Sequence, residues 1–408
     1  MPHHNSILTK KLTNLISIYR HIQINHTEAK LDSVTNKVCP ASSSSTSPDA
    51  SIVDESEKNH YKRNSDSHQC IEMVKIRFSI PLASLFVRHH FDSNTKRNID
   101  EMHSYVKKGF LKLIKQADWL DKETQNFALG KLQKMDSLIG YPKILLDTTF
   151  IEKLYEDYPT DYTYYDAVQE RENNMTSHHL NSSAVLHDGE LERISSHLLE
   201  VNAEYDILAN QIEVLAGILQ PNFYIKGRMS YLNYGAAGAI IGHEITHAFD
   251  NSRHRLDENA RDDSNWGQDA EDEYQRRSKC LENQYSNFTE PITQLHLNGT
   301  KTRDEDIADH GGLRAAYIAY NRWALENGVE PRLPGLDLNN DQLFWTSWAN
   351  NWCGVFTEQD IRDDVDYNFH SPSRFRVNGP LMNIDEFADH FNCPLGSPMN
   401  PVNKCRVW

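Results

Sequence analysis

Between residues 99 and 113 the apolar side chains Ile99, Met102, Val106, Phe110 and Leu113 recur at steps of three and four, which predicts a helix with one buried face. Asp121 precedes a further helical run and is placed to cap it, with the helix ending before Gly140-Tyr141-Pro142. Glu200 to Asp206 reads as a strand, and Gln211 to Leu219 as a second extended piece closed by Pro221. From about residue 236 onward helical patterns alternate with loops marked by Pro334, Pro372, Pro380 and Pro394, and no segment repeats another. Two stretches carry no period. Residues 41–68, opening on Ser42-Ser43-Ser44-Ser45, hold too few apolar positions to offset the entropy of ordering and read as a disordered linker. Residues 156–195 are polar and read as an exposed excursion, with His178 and His179 assigned to solvent.

The apolar run Ala236 to Gly242 leads into His243-Glu244-Ile245-Thr246-His247. In a helix the two histidines lie one turn apart on the same face, where both imidazoles reach a single zinc ion at about 2.0–2.1 Å, and Glu244 sits beside them within reach of a metal-activated water. A catalytic zinc site takes a third protein ligand and leaves a fourth position for water. The metzincin pattern would place Gly and His at positions where this chain has Asp250 and Arg253, which excludes that class. A glutamate from a second helix is the alternative. Glu305-Asp306-Ile307-Ala308-Asp309 supplies Glu305 as the candidate ligand, with Asp309 one turn further along. Asp309 is then expected to accept the free ring N–H of His243, and Asp250 that of His247.

Composition narrows the field. The chain has 408 residues, enough to bury a sizeable core, with a formal net charge of -16 and no stripe of Lys and Arg, which argues against nucleic acid as a partner. No apolar run is long enough to span a membrane, and no signal-peptide core follows Met1. The six cysteines lack close Cys-x-x-Cys pairs, so disulfides are expected. Sequons at Asn25, Asn174, Asn181, Asn287 and Asn298 point the same way, toward an oxidising compartment.

The chain from about residue 199 to 408 closely resembles the catalytic domain of the neprilysin and endothelin-converting-enzyme family of zinc metallopeptidases. The resemblance rests on Val201-Asn202-Ala203-Glu204-Tyr205, Ala216-Gly217-Ile218-Leu219-Gln220-Pro221, Asn233-Tyr234-Gly235, Leu297-Asn298-Gly299 and Glu305 to Asp309. It continues through Pro334-Gly335-Leu336, Trp352-Cys353-Gly354, His370-Ser371-Pro372 and Cys405-Arg406-Val407-Trp408. Weaker similarity reaches upstream to about Cys70, through Trp119 to Thr124 and Ile139 to Pro142.

The resemblance implies a mainly α fold with a small β-sheet (α+β): a thermolysin-like gluzincin catalytic domain over 199–408, part of a helical domain over 70–198, and an unassigned segment over 1–69. It implies one zinc ion per chain and cleavage of oligopeptides on the amino side of hydrophobic residues. Metal ligands would be His243, His247 and Glu305, and the catalytic set Glu244, His370 and Asp309, with His370 stabilising the oxyanion. Arg376 would bond a substrate carbonyl, and Asn202 with Ala203 would lie on a strand that the peptide extends. Ile218, Phe223, Ile240 and Trp352 would form an apolar pocket wall. Cys280 and Cys405 match a bonded pair, whereas Cys353 and Cys393 match residues whose partners lie in a segment not found here, leaving them to pair with each other or stay reduced; pairing of Cys39 with Cys70 is left open. The family's usual Glu-Asn is Glu305-Asp306 in this chain, a change expected to alter local pKa values. The family is membrane-anchored or secreted, which implies an extracellular or plasma-membrane setting, although the chain as written shows neither signal nor span. It also lacks most of the helical lid domain, so an inactive zinc- or peptide-binding remnant is the alternative function.

Overall fold

The computed structural model describes residues 75, 78–154, 191, 193–262 and 266–408. The expected linker 41–68, His178 and His179, the sequons Asn25, Asn174 and Asn181, and Cys39 and Cys70 fall outside them.

Helix α1 (Ser79–His90) is followed by α2 (Ser93–Gln116), whose expected stripe is buried throughout, from Ile99 to Leu113. Helix α3 (Lys122–Lys134) opens on Asp121, whose side chain accepts from the backbone N–H groups of Glu123 and Thr124 at 2.8 and 2.9 Å, taking up two donors that have no partner inside the helix.

The helix expected to run on toward Gly140 stops at Lys134, and Asp136–Gly140 forms strand β1 instead. So short a segment satisfies either period, and its partner decides: β1 pairs in parallel with β3 (Gln211–Leu215), from Asp136↔Gln211 to Gly140↔Leu215. Strand β2 (Ala203–Asp206) pairs antiparallel with the other side of β3, giving a three-stranded sheet in the order β1-β3-β2 with β2 at an edge. Both expected strands exist but are shorter than the apolar runs suggest, because pairing begins at Ala203 and ends at Leu215. Glu204 and Glu213 face one another across β2 and β3. Arg193 answers the repulsion, with Nη2 at 2.6 Å from the buried Glu213 and Nη1 at 3.8 Å from Glu204.

A π-helical turn, Tyr234–Gly238, leads into α4 (Ala239–His247), a short helix buried on every side. Helix α5 (Gln268–Ser286) precedes the longest element among the described residues, α6 (Gly299–Asn327), whose stretch from Asp306 to Leu313 is buried all round. Helices α7 (Asn340–Asn351), α8 (Glu358–Tyr367) and α9 (Ser373–Met382) follow. Helix α6 is the axis of this half of the molecule, with α2, α4, α5 and α9 packed against it, while α4 also meets β2 and β3. Beneath the end of α4 an aromatic cluster joins both halves of the chain: Phe110 of α2 lies 5.1 Å from Phe249 and 5.7 Å from Trp408 between ring centroids.

Cys280 and Cys405 form a disulfide with Cα atoms 5.5 Å apart, tying the C-terminal tail to α5. Cys353 is also disulfide-bonded and Cys393 is a free thiol, so the alternative in which these two pair with each other does not hold. Among the described residues no helix is long and apolar enough to cross a membrane.

Candidate metal centre and active site

The centre is built where α4 crosses α6. At the crossing Gly242 faces Gly312, and the fit is so close that a Cβ on Gly242 would lie 2.4 Å from the Gly312 carbonyl oxygen, and one on Gly312 would lie 2.3 Å from the His243 amide nitrogen. Paired glycines allow the backbones to approach so far, and this approach brings two pairs of side chains, each pair spaced by one turn, His243 and His247 on α4 and Glu305 and Asp309 on α6, into one small volume.

Ligand-type atoms of His243, His247 and Glu305 all lie within 4.8 Å of one another. Each imidazole is fixed through Nδ1: His243 bonds to Asp309 at 2.8 Å and His247 to Asp250 at 2.9 Å. A ring that gives its Nδ1–H to a carboxylate presents a lone pair at Nε2 when neutral, and the two Nε2 atoms stand 3.0 Å apart. Glu305 Oε2 is 3.2 Å from one and 3.4 Å from the other, yet this buried oxygen has no partner in hydrogen-bonding geometry. Three electron-pair donors facing one another at such distances require positive charge between them. Burial works against charge on both rings, but Asp309 and Glu305 outweigh it at His243, and Asp250 and Glu305 at His247, so both are held above the ordinary histidine value. Two nitrogens and one oxygen, with carboxylates behind the imidazoles, suit a zinc ion with an open position.

Glu244 lies between the two histidines in sequence and is 5% exposed. Burial raises its carboxyl above the usual range, with His243 and His247 pulling the other way, so the group favours accepting a proton more than a solvated glutamate does. His370 enters just before α9 with its side chain 43% exposed; its Nε2 is 3.1 Å from Glu305 Oε2, and its Nδ1 lies 3.2 Å from Asn368 Oδ1.

Arg376 is buried, at 8% exposure, and grips Asp309 with a two-toothed fork, Nε to Oδ2 and Nη2 to Oδ1, each at 2.8 Å. Its guanidinium carbon lies 3.8 Å over the Trp352 ring. Two of its three nitrogens are thus committed to Asp309, leaving Nη1 outside the fork. Asp309 reaches the centre only through His243 and Arg376.

Asp306 accepts from Thr302 Oγ1 and Ser371 Oγ, each at 2.7 Å, which ties the His370 loop to α6. Burial pushes its carboxyl well above the usual range, at the position where the resemblance leads to a neutral amide. Asn202 is exposed, and Ala203 begins the edge strand β2, with one side bonded to β3. Ile218 and Ile240 are buried in the main core, while Phe223 and Trp352 are partly exposed and pack against it. Lys131, which sequence reasoning passes over, is buried beneath the end of α4; an amphipathic pattern gives no sign of a lysine pointing inward.

A buried His-Glu-x-x-His helix crossed by a second helix that offers a glutamate defines the zinc metallopeptidase class of site. Residues 202–407 match the model of peptidase family M13, and residues 39–142 match that family's N-terminal model. The chain belongs to peptidase family M13. It is 38% identical over 331 residues to neprilysin-2 of Drosophila melanogaster, covering 81% of this chain and 43% of that protein. It is 36% identical over 339 residues to endothelin-converting enzyme 1 of Homo sapiens, covering 83% and 44%. Among solved structures it is similar to the zinc metalloprotease Zmp1 of Mycobacterium tuberculosis in its open state, with a TM-score of 0.67, 27% identity, and 84% of this chain and 52% of that one covered. A Haemonchus galactose-containing glycoprotein complex gives a TM-score of 0.69 at 26% identity, with 86% and 56% covered. The chain thus spans less than half the length of these two curated relatives.

Proposed function

We propose that the protein is a zinc-dependent endopeptidase that hydrolyses oligopeptides on the amino side of hydrophobic residues. The observation that carries this reading is the convergence of His243 Nε2, His247 Nε2 and Glu305 Oε2, each imidazole locked by a carboxylate behind it, with the buried Glu244 between the two in sequence. When bound there, zinc supplies the Lewis acidity that makes water nucleophilic at neutral pH and polarises a carbonyl. Glu244 takes one proton from the attacking water as the new C–O bond forms, then delivers it to the departing nitrogen as the C–N bond breaks, so that a carboxylate and an amine leave. His370, whose Nε2 lies 3.1 Å from Glu305 Oε2, would donate to the oxyanion, a role worth several kcal/mol when the donor is preorganised.

A peptide laid along β2 would take main-chain hydrogen bonds from the open edge at Ala203, with the exposed Asn202 beside it and Arg376 Nη1 donating to a further carbonyl. Ile218, Phe223, Ile240 and Trp352 would then supply the apolar wall for the side chain following the cleaved bond. The Cys280–Cys405 disulfide supports an oxidising, extracellular or membrane-surface setting.

The test is cleavage of a quenched peptide carrying a hydrophobic residue after the scissile bond. Wild type is expected to cut it, whereas Glu244→Ala and chelator-treated protein should fall by roughly 100-fold or more, as removal of a general base and of the metal would require. Stoichiometric zinc binding without cleavage by wild type would instead establish an inert zinc-binding domain.

A further inference from the structure

Helix α4 ends at His247, and the group that orients His247 sits in the turn that follows. Asp250 Oδ2 receives His247 Nδ1 at 2.9 Å and also the Arg253 guanidinium, while Asp250 Oδ1 takes the Ser252 N–H at 3.0 Å. Two carbonyls bracket this turn, those of Ala248 and Arg253. One amine bonds to both: Lys131 Nζ lies 2.6 Å from Ala248 O and 2.9 Å from Arg253 O.

Lys131 belongs to α3 and is only 1% exposed, with its Nζ 5.5 Å from the centre of the Phe249 ring. Burying an amine costs desolvation and side-chain freedom, and here its donors are spent on a loop rather than on a carboxylate partner. The Ala248 carbonyl, at the C-cap just past α4, has no partner within the helix. The lysine backbone is itself fixed to the sheet: Lys131 O accepts Asn210 Nδ2 at 3.2 Å, Asn210 O accepts the β1 N–H of Asp136 at 2.9 Å, and Asn210 Oδ1 accepts the Tyr205 hydroxyl of β2 at 3.0 Å. Between the bracketing carbonyls, Phe249 O is held by Tyr274 and Trp408, each at 3.0 Å, but these bonds fix one point of the turn and not its span.

We propose that Lys131 is a positioning residue for the metal ligand His247: by joining the Ala248 and Arg253 carbonyls it sets the width of the turn that aims Asp250 at His247 Nδ1. Through this amine α3 acts on the metal centre with no contact to the metal or the substrate. The inference rests on the zinc-peptidase reading above, so zinc binding by wild type is measured first.

Zinc affinity is then measured by chelator competition for Lys131→Met, Lys131→Gln, Asp250→Ala and the Lys131→Met/Asp250→Ala double variant. Direct removal of such a carboxylate should weaken zinc about 10- to 100-fold, and Lys131→Met, one step removed, about fivefold, with kcat reduced and KM little changed. Lys131→Gln keeps one donor and should fall between Lys131→Met and wild type. Because the lysine acts through Asp250, adding Lys131→Met to Asp250→Ala should cost less than about twofold more. Zinc affinity unchanged in Lys131→Met despite a lowered Tm, or losses that multiply in the double variant, would overturn the inference and leave Lys131 as packing alone. Should Lys131→Met not fold, Lys131→Gln decides: wild-type zinc affinity there overturns the inference equally. A wild type that binds no zinc would bring down the functional reading and this inference with it, whereas zinc-binding wild type and equally zinc-binding variants would bring down this inference only.

Discussion

Asp309 shows how much one buried side chain carries in this site. Its carboxylate receives His243 Nδ1 at 2.8 Å and both arms of the Arg376 fork, and these partners outweigh burial and hold it well below the usual carboxylate range. Asp309→Ala would free the His243 ring to turn and leave an enclosed guanidinium without its counter-charge, so two faults arise from one change. The expected result is a loss of zinc affinity of about 10- to 100-fold, read by chelator competition, together with a lowered Tm. Asp309→Asn keeps an acceptor for His243 while unbalancing Arg376, and should retain more zinc affinity than Asp309→Ala. Equal zinc binding by wild type and Asp309→Ala would show that His243 is held by packing rather than by this hydrogen bond.

The crossing of α4 and α6 does at the scale of elements what Asp309 does at the scale of residues. No side chain separates the helices at Gly242 and Gly312, and a methyl on Gly312 would have to displace the backbone at His243. Gly312→Ala is therefore expected to lower stability by about 1–3 kcal/mol or more and to weaken zinc binding as well, because the ligand-bearing turns are pushed apart. Gly130→Ala in α3, where a Cβ meets nothing within 4 Å, is the control and should leave stability unchanged or improve it by up to about 1 kcal/mol. Thermal melts and zinc titrations of the two variants separate the claims; a Gly312→Ala protein with wild-type zinc affinity would show that the centre tolerates a wider crossing. The periodic pattern made α2 and the capped start of α3 legible, since each follows from side chains within a few residues. Strand β1 was not legible, because its state is set by β3, which lies far along the chain.

Over the whole molecule, the C-terminal tail is drawn back onto α6. Asn383 joins them: its Nδ2 faces His310 Nε2 at 2.9 Å and its Oδ1 accepts the Cys405 N–H at 2.9 Å, beside the Cys280–Cys405 disulfide. A crosslink of this separation, 125 residues, removes loop freedom from the unfolded chain worth about 5 kcal/mol in the chain-entropy picture. His310 is buried, bonds through Nδ1 to the Asp306 carbonyl at 2.6 Å, and is held at about 4 rather than 6.5 by burial. The unfolded chain therefore takes up this proton more readily than the native one, so the contribution to stability is complete above pH 6.5 and is lost as the pH falls toward about 4. That gap corresponds to on the order of 3 kcal/mol. Melts of metal-free protein between these pH values should show Tm falling with acid, and His310→Gln should flatten the slope; an unchanged slope would place the acid sensitivity elsewhere.

The sequence by itself determined the chemistry on offer. His243 and His247 share a helical face by spacing alone with Glu244 beside them, Glu305 and Asp309 share another, and family membership was readable from local motifs, because each depends only on residues a turn or two apart. The tertiary structure decided which groups meet. It brought α6 to α4 across a glycine contact, spent two Arg376 nitrogens on Asp309, raised the Asp306 carboxyl by enclosing it, and turned Lys131 inward beneath the end of α4. Spacing along a helix is fixed by covalent geometry and one repeating hydrogen bond, whereas burial and the meeting of distant carboxylates, guanidinium and amine depend on how whole elements pack.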